Sequence, residues 1–262
     1  MTNPAPSPAA QAAVVAATTL LVGVRTGTFD TAKATFKNIK ATRQYYDQLP
    51  STYRTMFPGE RVVISFLHSS AANTAAYVKS IPAGTPVELT YHHEPEGTHG
   101  DYPGTPAQAG ATFVSEFNAQ ASVIHANSKI PVVFIAGGYQ YGNGRRGAAG
   151  NFIPPSADYY YMDSYQQNSA LAPATKDQTV MNYRALLAKR GKPFAGFTEY
   201  ARGTVSANPA TRVAVMKADD LWLRSIGARL WVYWWFPSVQ TGDNWQFRDA
   251  ASIQAWNSIL AQ

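Results

Sequence analysis

The sequence predicts a single-domain (β/α)8 barrel, an α/β fold of the TIM-barrel type, and three observations predict it. Eight short runs rich in Val, Ile, Leu and aromatic residues recur along 262 residues. Stretches with helical spacing of apolar residues separate them, as parallel strands joined by crossovers require. The length is that of one such barrel. A doubly wound open sheet shares the alternation, and the count of eight strands favours the barrel.

The first strand is read at Thr19–Arg25 and is followed by a helix-like stretch from Thr31 to Asn38. The second, Lys40–Asp47, is stopped by Leu49-Pro50, and the third, Arg61–His68, follows a Pro58-Gly59 turn. The fourth runs from Pro86 to Pro95. Phe113, Phe117, Val123 and Ile124 mark an amphipathic helix between Pro106 and Lys129. The fifth strand, Pro131–Ala136, enters a glycine-rich loop from Gly137 to Gly150, read as flexible and able to carry Arg145 or Arg146 to a substrate. Tyr159–Tyr165 is the sixth strand, and Thr175–Arg190 a helix with Met181, Leu186 and Leu187 on one face. Pro193–Glu199 is the seventh strand, Pro209–Ser225 a helix, Leu230–Phe236 the eighth strand and Ala250–Leu260 the closing helix.

Composition narrows the chemistry. There is no cysteine, so disulfides, thiolate metal sites, iron–sulfur clusters and cysteine nucleophiles are excluded. Lys and Arg exceed Asp and Glu, 22 to 16, giving a net charge of +6. No Lys/Arg run of nucleic-acid type occurs, so the excess reads as solubility with a hint of an anionic partner. Residues 1–18 form a Pro/Ala-rich segment ahead of a catalytic barrel at 19–262. The stretch Ala9–Val24 lacks a basic start and is too short to span a bilayer. No signal peptide is recognised, and the opening suits a monomer or one domain of a longer chain.

In a barrel the reactive groups gather at the carboxyl ends of the strands. The fourth strand ends in His92-His93-Glu94-Pro95-Glu96 and the seventh in Thr198-Glu199-Tyr200. His68 ends the third, Asp163 and Tyr165 the sixth, and Trp234-Trp235 the eighth. Glu94 and Glu199 would face each other across the mouth, as the acid and the attacking carboxylate of glycoside hydrolysis must. The bland alternative pairs each with a nearby arginine. Arg25 and Arg43, near the ends of the first two strands, could hold a carboxylate ionised, bind an acidic sugar or tie down the mouth. Of the aromatics on the eighth strand only Trp235 and Trp234 can reach the mouth, there to stack on a pyranose face.

Leu89-Thr90-Tyr91-His92-His93-Glu94-Pro95-Glu96, with Pro193–Glu199 far downstream, resembles glycoside hydrolase family 26, the group of the β-mannanases. The Met162–Tyr165 end of the sixth strand and the aromatic eighth strand join the resemblance. It implies a retaining (β/α)8 hydrolase with Glu94 as general acid/base and Glu199 as nucleophile. His93 and Tyr165 would orient them and contact sugar. Arg43, His68, Asp163, Trp234 and Trp235, read from their places at the strand ends rather than from the resemblance, are the further expected substrate contacts. Tyr200-Ala201 after the second Glu departs from the family, as do its shortened loops, which bears on mannan specificity.

The expectation is a polysaccharide hydrolase needing no cofactor and no metal, working outside the cell or on a virion. The rival is a carbohydrate-binding barrel without turnover, serving as a cell-surface or phage-tail recognition domain. A third reading, a metal-dependent hydrolase or deacetylase, would use His92, His93, Glu94, Glu96, His99 and Asp101. The proline after Glu94 breaks the helical spacing that a zinc motif needs. Gly142–Gly147 matches a dinucleotide fingerprint by letter, but no helix opens at its last glycine. No Gly-x-Ser-x-Gly elbow occurs.

Overall fold

A computed structural model describes residues 19–25, 29–54, 60–97, 102–143, 149–236 and 244–262. The segment 1–18, the turn at Pro58-Gly59, the pair Arg145-Arg146, and His99 and Asp101 lie outside the described residues.

Eight strands form one parallel sheet: β1 (Leu21–Arg25), β2 (Ala41–Gln48), β3 (Arg61–His68), β4 (Val87–Tyr91), β5 (Val133–Gly137), β6 (Tyr159–Gln166), β7 (Phe194–Arg202) and β8 (Leu230–Trp234). Their order is β4-β3-β2-β1-β8-β7-β6-β5, and a parallel bridge from Leu89 to Val132 joins the two ends. The sheet is therefore a (β/α)8 barrel, closed most thinly between β4 and β5. Around it run α1 (Phe29–Thr35), α2 (Ala71–Ser80), α3 (Pro106–Asn127), α4 (Gly138–Asn143), α5 (Gln178–Lys189), α6 (Pro209–Ser225) and α7 (Ala250–Leu260).

Local chemistry sets these boundaries. Thr105 and Gln108 make a reciprocal capping box at the start of α3, with Pro106 in the first turn where no N–H is needed. Asn208 accepts from the Thr211 amide ahead of Pro209 and so opens α6 in the same way.

Strand alternation sorts the core into two layers. Ala41, Val63, Val133, Ile135, Tyr161, Ala195, Leu230 and Val232 pack inside the barrel. Trp231, Tyr233, Phe197 and Phe134 belong to the layer between strands and helices. Two glycines permit the closure. A Cβ on Gly23 would fall 1.8 Å from the Ala41 carbonyl oxygen, and one on Gly196, at φ +125°, 2.0 Å from that of Leu230. At the amino end of the barrel the buried Glu88 pairs with Arg61 (2.8 Å) and Arg229 (3.4 Å) and accepts from the Tyr161 hydroxyl.

Five readings change. The stretch Ala71–Ser80 is a helix that periodicity did not reveal, because only Thr74, Tyr77 and Val78 are buried on it. β4 stops at Tyr91 rather than Pro95, since His92 and Glu94 turn the chain at φ +50° and +51°. α5 buries Val180, Tyr183 and Leu187 and leaves Met181 exposed, one residue round from the expected face. The glycine-rich loop begins as a helix, α4, with Tyr141 buried. β7 continues three residues past Glu199 to Arg202.

No helix among the described residues is long and apolar enough to cross a membrane.

Candidate active site

The inward positions of β2 recur every second residue, so Ala41, Arg43 and Tyr45 climb one face toward the mouth. Arg43 is fully buried. Its guanidinium donates to Ser65 Oγ (2.9 Å) and reaches Glu199 Oε1 at 3.4 Å and Asp163 Oδ1 at 3.6 Å. Tyr45, one step higher, donates its hydroxyl to Glu199 Oε1.

Glu199 owes its aim to an irregular strand. β7 slips in register against β6 twice, the second time between the Met162 and Asp163 positions, which brings Glu199 level with Asp163. Bulges of this kind re-aim side chains beside reactive sites. The other carboxylate oxygen, Oε2, accepts from the Tyr165 hydroxyl of β6. Two phenols and a guanidinium thus hold one carboxylate. Asp163, beneath, accepts from the Thr198 hydroxyl, and burial and the nearby Glu199 push its pKa upward.

Glu94 comes from the turn after β4. Its amide donates to the Ile135 carbonyl (2.9 Å), its carbonyl accepts from Gly97, and its left-handed φ swings the side chain against β5. A Cβ at Gly137 would stand 3.3 Å from that side chain, so the glycine leaves room for the acid. Glu94 keeps a partly open face. Burial first, then the charges of Glu199 and Glu96, raise its pKa to about 8 against the pull of Arg43. That shift biases Glu94 toward its protonated form at neutral pH.

Glu96 folds beneath Glu94. It is fully buried, accepts from the Gly137 amide at 3.1 Å and is also pushed up to about 8 by burial.

The remaining expected residues divide. His93 is half-buried with its ring 5.2 Å from that of Tyr45. Tyr165 is 37% exposed and packs beside Trp245 (5.4 Å) and Trp234 (6.4 Å). Trp234 is half-buried, its ring 6.3 Å from Tyr45. Arg25, at the rim of β1, lays its guanidinium 5.5 Å from the Tyr45 centroid and 5.9 Å from that of Trp234.

Two expected substrate contacts stand elsewhere. Trp235 faces outward, its indole N–H donating to the Phe247 carbonyl and its ring 5.1 Å from Phe36, because strict alternation continues past the end of β8. His68 is exposed and bonded to Asp47 at 3.0 Å, beside a surface cavity with Gln48, Ser70 and Asn73. Its position at the end of β3 leaves it outside the carboxylate group.

Tyr45, Ser65, Thr198, Trp245 and Glu96 were not anticipated as site residues. Tyr45 had a legible signal, since it lies two positions beyond Arg43 and so shares its face. Glu96 lies in the fourth-strand-end motif of the sequence, with no role there beyond that of a candidate metal ligand. Among the described residues no cluster of three or more His, Asp and Glu could hold a metal ion.

No protein-family model matches the chain, and no curated protein matches it significantly. Solved structures do. The catalytic domain of a family 26 endo-β-1,4-mannanase from Bacillus sp. JAMB-750 superposes with a TM-score of 0.60 at 13% identity, over 97% of this chain and 88% of that one. Fungal β-1,4-galactanases superpose at 0.54 and 12% identity, over 90% and 98%. A 4-O-α-L-rhamnosyl-β-D-glucuronidase from Fusarium oxysporum gives 0.54 and 13%, over 92% and 68%. At these identities the likeness establishes the barrel fold.

Proposed function

We propose that this barrel is a retaining glycoside hydrolase acting within a polysaccharide chain, with Glu199 as nucleophile and Glu94 as general acid/base. The observation that carries the reading is the contrast between two facing carboxyls. Glu199 is gripped at both oxygens by the Tyr45 and Tyr165 hydroxyls with Arg43 alongside, while Glu94 is pushed up to about 8 and keeps its proton. A carboxyl raised in this way beside one that is hydrogen-bonded and aimed suits the acid role of such a reaction.

The steps follow from the atoms. Glu199 attacks the anomeric carbon, and the glycosidic C–O bond breaks as Glu94 delivers its proton to the leaving oxygen. Glu94, now a carboxylate, takes a proton from water, whose oxygen displaces Glu199 and releases the sugar with its original configuration. Tyr45 and Tyr165 fix the Glu199 oxygens for attack, and Arg43 steadies the leaving carboxylate in the second step. Trp234 offers a face for the sugar ring at the rim.

The names of the mannanase and galactanase neighbours support a polysaccharide substrate and, with it, action outside the cell or on a virion. No resident cofactor enters either step.

The test is a panel of plant and cell-wall polysaccharides with early product anomers followed by proton NMR. Retained configuration with wild-type protein, and turnover lower by several orders of magnitude in Glu199→Gln with binding intact, is the expected result. Inverted product, or a Glu199→Gln protein as active as wild type, overturns the mechanism. Binding without turnover on every polysaccharide would instead favour a recognition domain.

A further inference from the structure

The inward ladder of β2 does not stop at the carboxylates. Arg43, Tyr45 and Asp47 recur every second residue, and Asp47 stands about 7 Å up the strand from Tyr45. Tyr45 grips Glu199. Asp47 is exposed and bonds His68 Nδ1 at 3.0 Å, tying the end of β2 to the end of β3. In the register of these strands Gln48 lies opposite His68. Both line a surface cavity of about 580 Å3 whose other walls are Leu49, Ser69, Ser70 and Asn73. That volume falls within the roughly 300–1,000 Å3 of small-molecule sites.

The back of this cavity is fastened and its front is polar. Asn73 donates to the Leu49 carbonyl (2.8 Å), which ties α2 to the chain leaving β2, and Gln120 of α3 donates to the Ser69 carbonyl (2.7 Å). A wall held in advance asks little ordering of a ligand's surroundings. The bond to Asp47 makes Nδ1 the donor of the His68 ring, and Nε2 lies on the ring's other side. Asp47, Gln48 and His68 are exposed. They offer a carboxylate acceptor, an amide that both donates and accepts, and an imidazole nitrogen. A sugar hydroxyl also donates and accepts, so neighbouring hydroxyls of one pyranose match such a set. The Asp47 carboxylate repels an anionic ligand, which turns the choice to a neutral sugar.

We infer that Asp47, Gln48 and His68, with the cavity beside them, form a second saccharide-binding site. It takes a neutral sugar residue of the same chain whose scissile bond lies at Glu199. The inference rests on the reading of the mouth as a sugar site. A chain that leaves Glu199 over Tyr45 meets Asp47 next, because the two share one face of β2. The site gives the proposed hydrolase a hold on its polymer beyond the reacting ring, and gives His68 a substrate contact away from the carboxylates.

The experiment uses neutral β-1,4-linked manno-, gluco- and galacto-oligosaccharides, from disaccharides to hexasaccharides. Binding is read by titration calorimetry on Glu199→Gln protein, so turnover does not intrude, and hydrolysis is read separately on wild type. Affinity is expected to step up by roughly three- to tenfold once the chain is long enough to reach His68, the scale of a hydrogen bond. Gln48→Ala/His68→Ala should remove that step while leaving affinity for the short chains and the melting temperature unchanged. The His68 ring resonances, assigned by their loss in His68→Gln, should shift with long chains and stay in place with short ones. Absence of binding, affinity without a step, a step that survives the double substitution, or ring resonances that ignore the long chains overturns the inference. Should the double variant fail to fold, the ring resonances decide. A His68-dependent step without hydrolysis of any oligosaccharide would defeat the glycosidase reading and leave this one standing. Hydrolysis at a kcat/KM independent of chain length would do the reverse.

Discussion

The hydroxyl of Tyr45 on β2 meets Oε1 of Glu199 on β7, across 154 positions of sequence, while Tyr165 on β6 meets Oε2. The carboxylate is thereby gripped at both oxygens, and its plane is set by two strands on opposite sides of its own neighbourhood. This grip, more than any single acid, distinguishes the mouth of this barrel from a surface ion pair.

Removing either hydroxyl should cost turnover more than stability. Tyr45→Phe and Tyr165→Phe each delete one hydrogen bond to a charged acceptor, so kcat should fall by roughly ten- to hundredfold. The ring contacts to His93 and Trp234 remain, so KM and the melting temperature should change little. Steady-state kinetics with a thermal melt reads both. A large loss of stability with kcat preserved would show the hydroxyls to be structural.

The pH profile should carry the signature of Glu94. With the acid raised to about 8 by burial and by Glu199, kcat/KM should hold through neutral pH and decline on the alkaline side of about 8. Glu94→Gln should remove that alkaline limb along with most of the activity on substrates with poor leaving groups. A profile that declines from an ordinary carboxylate value would contradict the assignment.

Glu96 gives a prediction about stability. An acid whose pKa is higher folded than unfolded binds its proton more tightly in the folded state. Its contribution is full below the ordinary carboxylate value and is lost as pH rises toward about 8. Glu96→Gln keeps an acceptor for the Gly137 amide and removes the titration. Chemical denaturation should find the variant more stable than wild type at pH 8 by about 1–3 kcal/mol, with the gap closing at pH 4. The same variant should shift the alkaline limb of kcat/KM to lower pH, because Glu96 helps to raise Glu94.

The adjacent tryptophans should part company. Trp235 is buried against Phe36 and Phe247, so Trp235→Ala should destabilise the fold by about 3–5 kcal/mol. Trp234 sits at the rim, so Trp234→Ala should leave the melt nearly unchanged and weaken saccharide binding by about 1–3 kcal/mol. Reversed effects would mean that the strand end breaks its alternation.

What the sequence determined by itself was the frame. Val, Ile and aromatic runs fixed the positions of the strands, because a strand buried on both faces must be apolar almost throughout. Pro106 and Pro209 marked helix starts, where the first amides need no partner within the helix, and the structure adds Thr105 and Asn208 as their caps. Glu94 and Glu199 could be singled out as strand-end acids, because the fold gathers its mouth from such ends.

The tertiary structure alone decided which neighbours those acids meet. Glu199 is aimed by register slips between β7 and β6, and Glu94 by two left-handed residues that end β4 early, neither of which has a period to read. Tyr45 and Glu96 became site residues only when closure of the barrel set β2 opposite β7 and folded the turn after β4 onto β5. Trp235 and His68 stood at strand ends in the sequence yet point away from the mouth, because alternation on a twisted barrel sets direction residue by residue. Local pattern reports burial and period. Long-range pairing, whose loop-closure cost is met only by the assembled barrel, decides who faces whom.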